Sequence, residues 1–284
     1  MRAVLVAALT AGLLAPAGVD ASQGESADRA EFLAGAAAAA ERYSDRREAI
    51  ADGFRRIGPD FPGMGVHWVH TSRIVAGELE GDRPSVLCYV TVDGTPTLVG
   101  LAYTLPLSAE ESPPSEPFGV EVWHDHSGQV SEESLLLNHP SSTTASDPTF
   151  RLSMVHVWLP LTNPEGLLAQ NNWTIPFMRA GLEPPARPMS GPARGLSLGS
   201  QGVDFYRELL YWAAPLEEAE HETVQRLLQE WAAEVDGLVA RHQGQWTPAE
   251  LQALERMWTG FWDDLERSLE PASYERIHPL RSGA

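Results

Sequence analysis

Apolar positions follow three successive rhythms along the chain. Residues 28–56 are alanine-rich, and Phe32, Ala36, Tyr43, Ile50 and Phe54 recur at mostly helical spacing, which predicts a helix. Its polar surface carries Arg46, Arg47, Glu48, Arg55 and Arg56, and Gly58-Pro59 with Pro62-Gly63 end it in a loop. From residue 64 the pattern becomes that of strands. Residues 64–70 form one, with His67 and His70 expected on opposite faces. Residues 85–92 and 97–104 are β-branched runs separated by Asp93-Gly94-Thr95-Pro96, a hairpin signal. The Ser-, Glu- and Pro-rich stretch 108–117 is an exposed loop, and 134–147 is a polar one. Residues 150–159 are a further strand, placing Leu152, Met154, His156 and Trp158 on one face. Asn163-Pro164-Glu165-Gly166 makes a turn. The third rhythm is helical again, over 203–212, 216–243 and 248–268. There Thr247 stands at N-cap, Pro248 at N1 and Glu250 at N3.

These rhythms divide the chain into a signal peptide (1–21), an N-terminal helical segment (22–59), a β-rich domain with a histidine cluster (60–180), a Pro/Gly-rich linker (181–201) and a helical C-terminal region (202–284). The fold class is α+β: an N-terminal helix, an antiparallel β barrel or sandwich region, and a helical C-terminal part. In the leader, Arg2 supplies a positive start and Ala3 to Leu14 an apolar run. Ala15-Pro16-Ala17 and Val19-Asp20-Ala21 offer cleavage sites. The run is too short to span a bilayer and no cysteine lies near for lipidation, so the expectation is a secreted or periplasmic protein with no stable membrane anchor.

Charge narrows the partners. The 284 residues carry a formal net charge of -19, which argues against nucleic acid and anionic lipid surfaces. All 20 basic residues are Arg, so Schiff-base chemistry on lysine and a phosphate-loop lysine are both excluded. Cys88 is the sole cysteine; no intramolecular disulfide or thiolate cluster can form, and its strand context predicts a buried, inert thiol.

The densest group of candidate ligands is Gly119-Val120-Glu121-Val122-Trp123-His124-Asp125-His126-Ser127-Gly128, closed by Glu132 and Glu133. As a strand it turns Val120, Val122, His124 and His126 one way and Glu121, Trp123 and Asp125 the other. Two imidazoles two residues apart can converge on one ion, and the turn at Ser127-Gly128 brings Glu132 or Glu133 back. Imidazole with carboxylate suits a divalent transition metal, Zn, Cu, Mn or Fe, better than Ca or Mg. The expected ligands are His124, His126, His156, His67 and Glu132, with Glu121, Asp125 and Glu133 as supporting or alternative ones. A small molecule or the metal itself is the expected ligand.

Met64-Gly65-Val66-His67-Trp68, Pro84 through Tyr89, and Leu98-Val99-Gly100-Leu101-Ala102-Tyr103 form one set of motifs. His156-Val157-Trp158-Leu159, Asn163-Pro164-Glu165-Gly166 and Asn171 complete it. Together they resemble a family of uncharacterised exported bacterial proteins with a Gly-Val-His-Trp/Tyr … His-Val-Trp … Asn-Pro-x-Gly pattern. The resemblance covers residues 60–178 and implies export, with His67 and His156 as the characteristic histidines. His124-Asp125-His126 with Glu132-Glu133 is then an elaboration of the pattern.

Other chemistry is less well supported. A cupin likewise uses His-x-His, a glutamate and a later histidine, but here Glu132 falls late and the Pro-x-Gly turn before His156 is missing, so only the ligand types correspond. No Gly-x-Ser-x-Gly exists, and Ser127, Ser131 and Ser134 lie in plain loop context. No catalytic residue follows from the sequence; metal catalysis would need an open coordination position and an acid/base such as Glu132, Glu133 or Asp125. Glu218 and His221 read as a solvated helix face, and Trp68, Trp123, Trp158 and Trp173 as core packing. The alternative to a metal protein is a non-catalytic ligand-binding or assembly protein with structural histidines.

Overall fold

The computed structural model describes residues 27–108, 110–125, 150–184, 203–214, 216–241 and 247–283. The expected leader, the loop over 134–147, His126, Glu132, Glu133 and most of the linker lie outside them. Helix α1 (Ala27–Arg42) turns Phe32, Ala36 and Ala39 inward. In α2 (Arg46–Asp52) the Asp45 carboxylate caps the first turn by accepting from the Arg47 N–H at 2.9 Å. Gly53, at φ 114°, ends α2 in the left-handed conformation. The helix expected as far as residue 56 therefore stops early. Arg55 and Arg56 instead open strand β1 (Arg55–Phe61), which runs through Gly58-Pro59 where a loop was expected. Pairing with β2 (Gly65–Val69), Arg55 opposite Val69 and Ile57 opposite His67, outweighs the helical spacing.

Beyond β2, His70 stands at the N-cap of the short helix α3 (Thr71–Ala76) rather than on the strand's opposite face. Strands β3 (Val86–Val92) and β4 (Thr95–Ser108) form the expected hairpin. Asp93 at φ 47° and Gly94 at φ 76° give its two-residue turn the hand that suits strand twist. The two-residue strand β5 (His124–Asp125) and β6 (Phe150–Val157) complete an antiparallel sheet of order β1-β2-β3-β4-β6-β5. The architecture is the expected α+β, and among the described residues the sheet is open, with β1 and β5 as its two edges, not a closed barrel.

One face packs under α1 and α2, where Phe32, Tyr43 and Phe54 meet Leu87, Leu101, Tyr103 and Val157. On the other, Ile74 of α3 joins Val69, Val86, Ala102, Leu152 and Met154. Ile175, opening helix α4 (Ile175–Arg179), joins Phe61, Cys88, Val99 and Trp158. Helices α5 (Val203–Ala213), α6 (Glu218–Arg241), α7 (Pro248–Ser268) and α8 (Pro271–Ile277) follow. Their core includes Trp231, Phe261, Trp262 and Leu265, and it takes in Trp173 and Phe177 from the α4 segment. The predicted capping box of Thr247 and Glu250 starts α7. The bundle is tied to the sheet by Arg179 of α4, which donates to Asp60 of β1. Among the described residues no helix is long and apolar enough to cross a membrane.

Candidate metal centre

Three strands each deliver one ligand-type side chain to the same face of the sheet. His67 of β2 stands directly opposite Cys88 of β3. His156 of β6 pairs with Ala102 of β4, so it starts three strand spacings from β2, about 14 Å on a flat sheet. The two imidazoles nevertheless come within 6.2 Å, centroid to centroid, at 18°. They lean inward over a floor of small side chains, because β4 presents only Gly100 and Ala102 there. One ligand atom from each of His67, Cys88 and His156 lies within 4.8 Å of the others. That group could hold a metal ion after a modest contraction.

Burial makes the group chemically distinct. His67 is 6% exposed, Cys88 0% and His156 1%. Nε2 of His67 and both ring nitrogens of His156 are shut away from solvent. Burial also pushes the Cys88 thiol far above its ordinary range, so in a metal-free pocket it holds its proton. A coordinated cation reverses that balance, since a thiol bound to a metal is deprotonated outright. Rings close the pocket on two sides: Phe61 lies 5.6 Å from His67 and Trp158 5.5 Å from His156. The Trp158 indole is itself fixed by donating to the Ala169 carbonyl at 2.6 Å.

The residues singled out in the sequence divide in three. His67 and His156 are in the group. His124 is beside it, half-buried on β5, with its ring 5.1 Å from that of His156 and nearly parallel at 19°. Glu121 and Asp125 are exposed and outside it. The strand expected over 119–128 does not form at Glu121: Gly119, at φ 89°, bends the chain and residues 120–122 make a 3-10 turn. Asp125 pairs with Ser153 and so alternates away from His124. His126, Glu132 and Glu133 lie outside the described residues. Among those described, the group consists of two imidazoles and a thiol, with no carboxylate.

Cys88 is the residue that sequence reasoning passed over. Its signal was the alternation Val86, Cys88, Val90, which turns the thiol to one definite face of β3. What placed it next to His67 was the β2–β3 register, and α3 interrupts the chain between those strands.

Among the described residues the other histidines, His70, His221 and His278, have structural partners. His70 Nε2 lies 3.0 Å from the Asp52 carbonyl, and its Nδ1 3.1 Å from Ser72 Oγ. His221 of α6 is half-buried and stacks on Tyr211 of α5 at 4.1 Å, instead of standing on a solvated helix face. Of the tryptophans, Trp158 alone among the described residues stacks on a member of this group, His156; Trp68 packs on Tyr89 across the sheet, and Trp173 belongs to the helical core.

Compared with protein-family models, with curated proteins and with solved structures, the chain has no match in any of the three.

Proposed function

We propose that the protein is an exported transition-metal-binding protein whose ion sits among His67, Cys88 and His156. One observation carries this reading: three donors of ligand type, contributed by three strands, lie within 4.8 Å of one another in the core. Two imidazoles and a thiol turned to one face of the sheet are donor types that a transition-metal ion takes. Export rests on the leader-like residues 1–21, and the resemblance to exported bacterial proteins gives the same direction. The acidic chain suits cation capture.

Thermal melting tests the reading. An ion that binds only the folded chain stabilises it by about 2.7 kcal/mol at a hundredfold excess over Kd. The melting temperature should therefore rise on adding Zn, Cu, Mn or Fe to metal-free protein. No rise with any of the four would sink the proposal.

A second reading is favoured by the ring stack itself. Phe61, His67, His156 and His124 follow one another at 5.6, 6.2 and 5.1 Å, as core aromatics do. On that reading the histidines are structural and the protein is a non-catalytic ligand-binding or assembly protein. It predicts a melting temperature indifferent to metal.

A further inference from the structure

The donor set bears on which ion the site takes, an inference that rests on the metal-binding reading above. Iron–sulfur clusters need several thiolates, and the chain has one cysteine. Ca, Mg and Mn favour oxygen ligands, which the group lacks. Zinc and copper both take imidazole together with thiolate. A structural zinc is closed by four protein ligands, and a catalytic one keeps an open position for water or substrate. Here the described group offers three donors, and His124, the next imidazole, stacks on His156 instead of joining them. The three are at most 6% exposed, with Phe61 and Trp158 against the imidazoles, which does not suit an exchangeable water.

Two imidazoles and one thiolate are the donors of trigonal copper sites, and copper outranks zinc for a given nitrogen and sulfur set. The thiol also has no second cysteine in the chain with which to form a disulfide, so it stays available to a metal. We infer that the His67–Cys88–His156 site selects copper over zinc. His124 is then not a ligand but the ring that covers His156 on the β5 side.

The test uses the full chain, stripped of metal and kept free of oxygen. It is titrated with Cu(I) and, separately, with Zn(II), and each loaded form is challenged with the other ion. The inference expects one copper per chain, not displaced by zinc in about tenfold excess, and zinc lost to one equivalent of copper. Loading with Cu(II) should add a visible thiolate-to-copper absorption band, absent in a Cys88→Ser variant shown to be folded by circular dichroism. If that variant does not fold, the competition on the native chain still decides. Zinc retained against copper would overturn the copper assignment and leave the metal-binding reading standing. A chain that takes up neither ion would overturn the copper assignment, and the metal-binding reading with it if Mn and Fe are refused as well.

Discussion

The indole of Trp158 lies so close on Gly100 that a Cβ built there would stand 2.8 Å from Cζ3 and 2.9 Å from Cε3. The same indole stacks on His156, so the missing side chain of one residue sets the position of a proposed ligand. Gly100→Ala must displace the ring or the strand, an overpacking that costs about 1–3 kcal/mol. Urea denaturation should show the lowered midpoint, and metal uptake should weaken with it. An unchanged midpoint would mean that the contact is not tight in solution.

The three members of the group and their neighbour should behave differently on truncation. His67→Ala and His156→Ala each remove a ligand, and titration calorimetry should show stoichiometric metal uptake lost in both. His124→Ala should still bind one equivalent, because that ring covers the site without completing it. Loss in His124→Ala with retention in His67→Ala would move the site toward the β5 edge.

Much of the fold was legible because it is specified locally. The β3–β4 turn is written in Asp93-Gly94, the α7 start in Thr247 and Glu250, and the inward face of β6 in Leu152, Met154 and His156. What escaped was set at a distance. Arg55 and Arg56 continue a helical rhythm, yet they pair with Val69 and Trp68 of β2 once Gly53 has turned the chain. His124 and Asp125 keep their strand alternation over two residues only, because β6 offers partners to no others in that described stretch. Alternation gave the face of Cys88 but could not give its neighbour, which is why an inert core thiol was expected where a possible ligand lies.

Away from the site, Asp52 ties α2 to α3. It accepts from the Tyr43 hydroxyl at 2.5 Å and from Arg73 at 2.5 Å, with Arg42 at 3.3 Å. Burial acts to raise its carboxyl pKa, but the Tyr43 hydrogen bond and the positive Arg73 and Arg42 outweigh this and hold it below its ordinary value. A carboxylate lowered in this way stabilises the fold above its unfolded pKa, about 3.9, and the contribution is lost as pH falls through the folded value. Asp52→Asn should therefore destabilise the protein at neutral pH, by a gap that narrows in acid. Urea melts across that range would contradict the account if the gap stayed constant.

The Asp60–Arg179 pair should matter more than an exposed ion pair. The Arg179 side chain is 2% exposed and that of Asp60 28%. Asp60→Asn leaves the guanidinium buried beside a neutral amide, at a cost of about 3 kcal/mol, the lower end for a broken buried pair because Asp60 retains some water. Chemical denaturation should register it. A change below about 1 kcal/mol would place the pair with surface ion pairs and leave the α4 segment held by the packing of Trp173, Ile175 and Phe177.

Metal content is the most direct test of the central claim. The full chain, purified without a histidine tag or chelator, should carry about one equivalent of a transition metal by elemental mass analysis, or take up one on titration. Protein that holds none and takes up none would contradict a metal site at His67, Cys88 and His156, and leave a core whose histidines pack as aromatic rings.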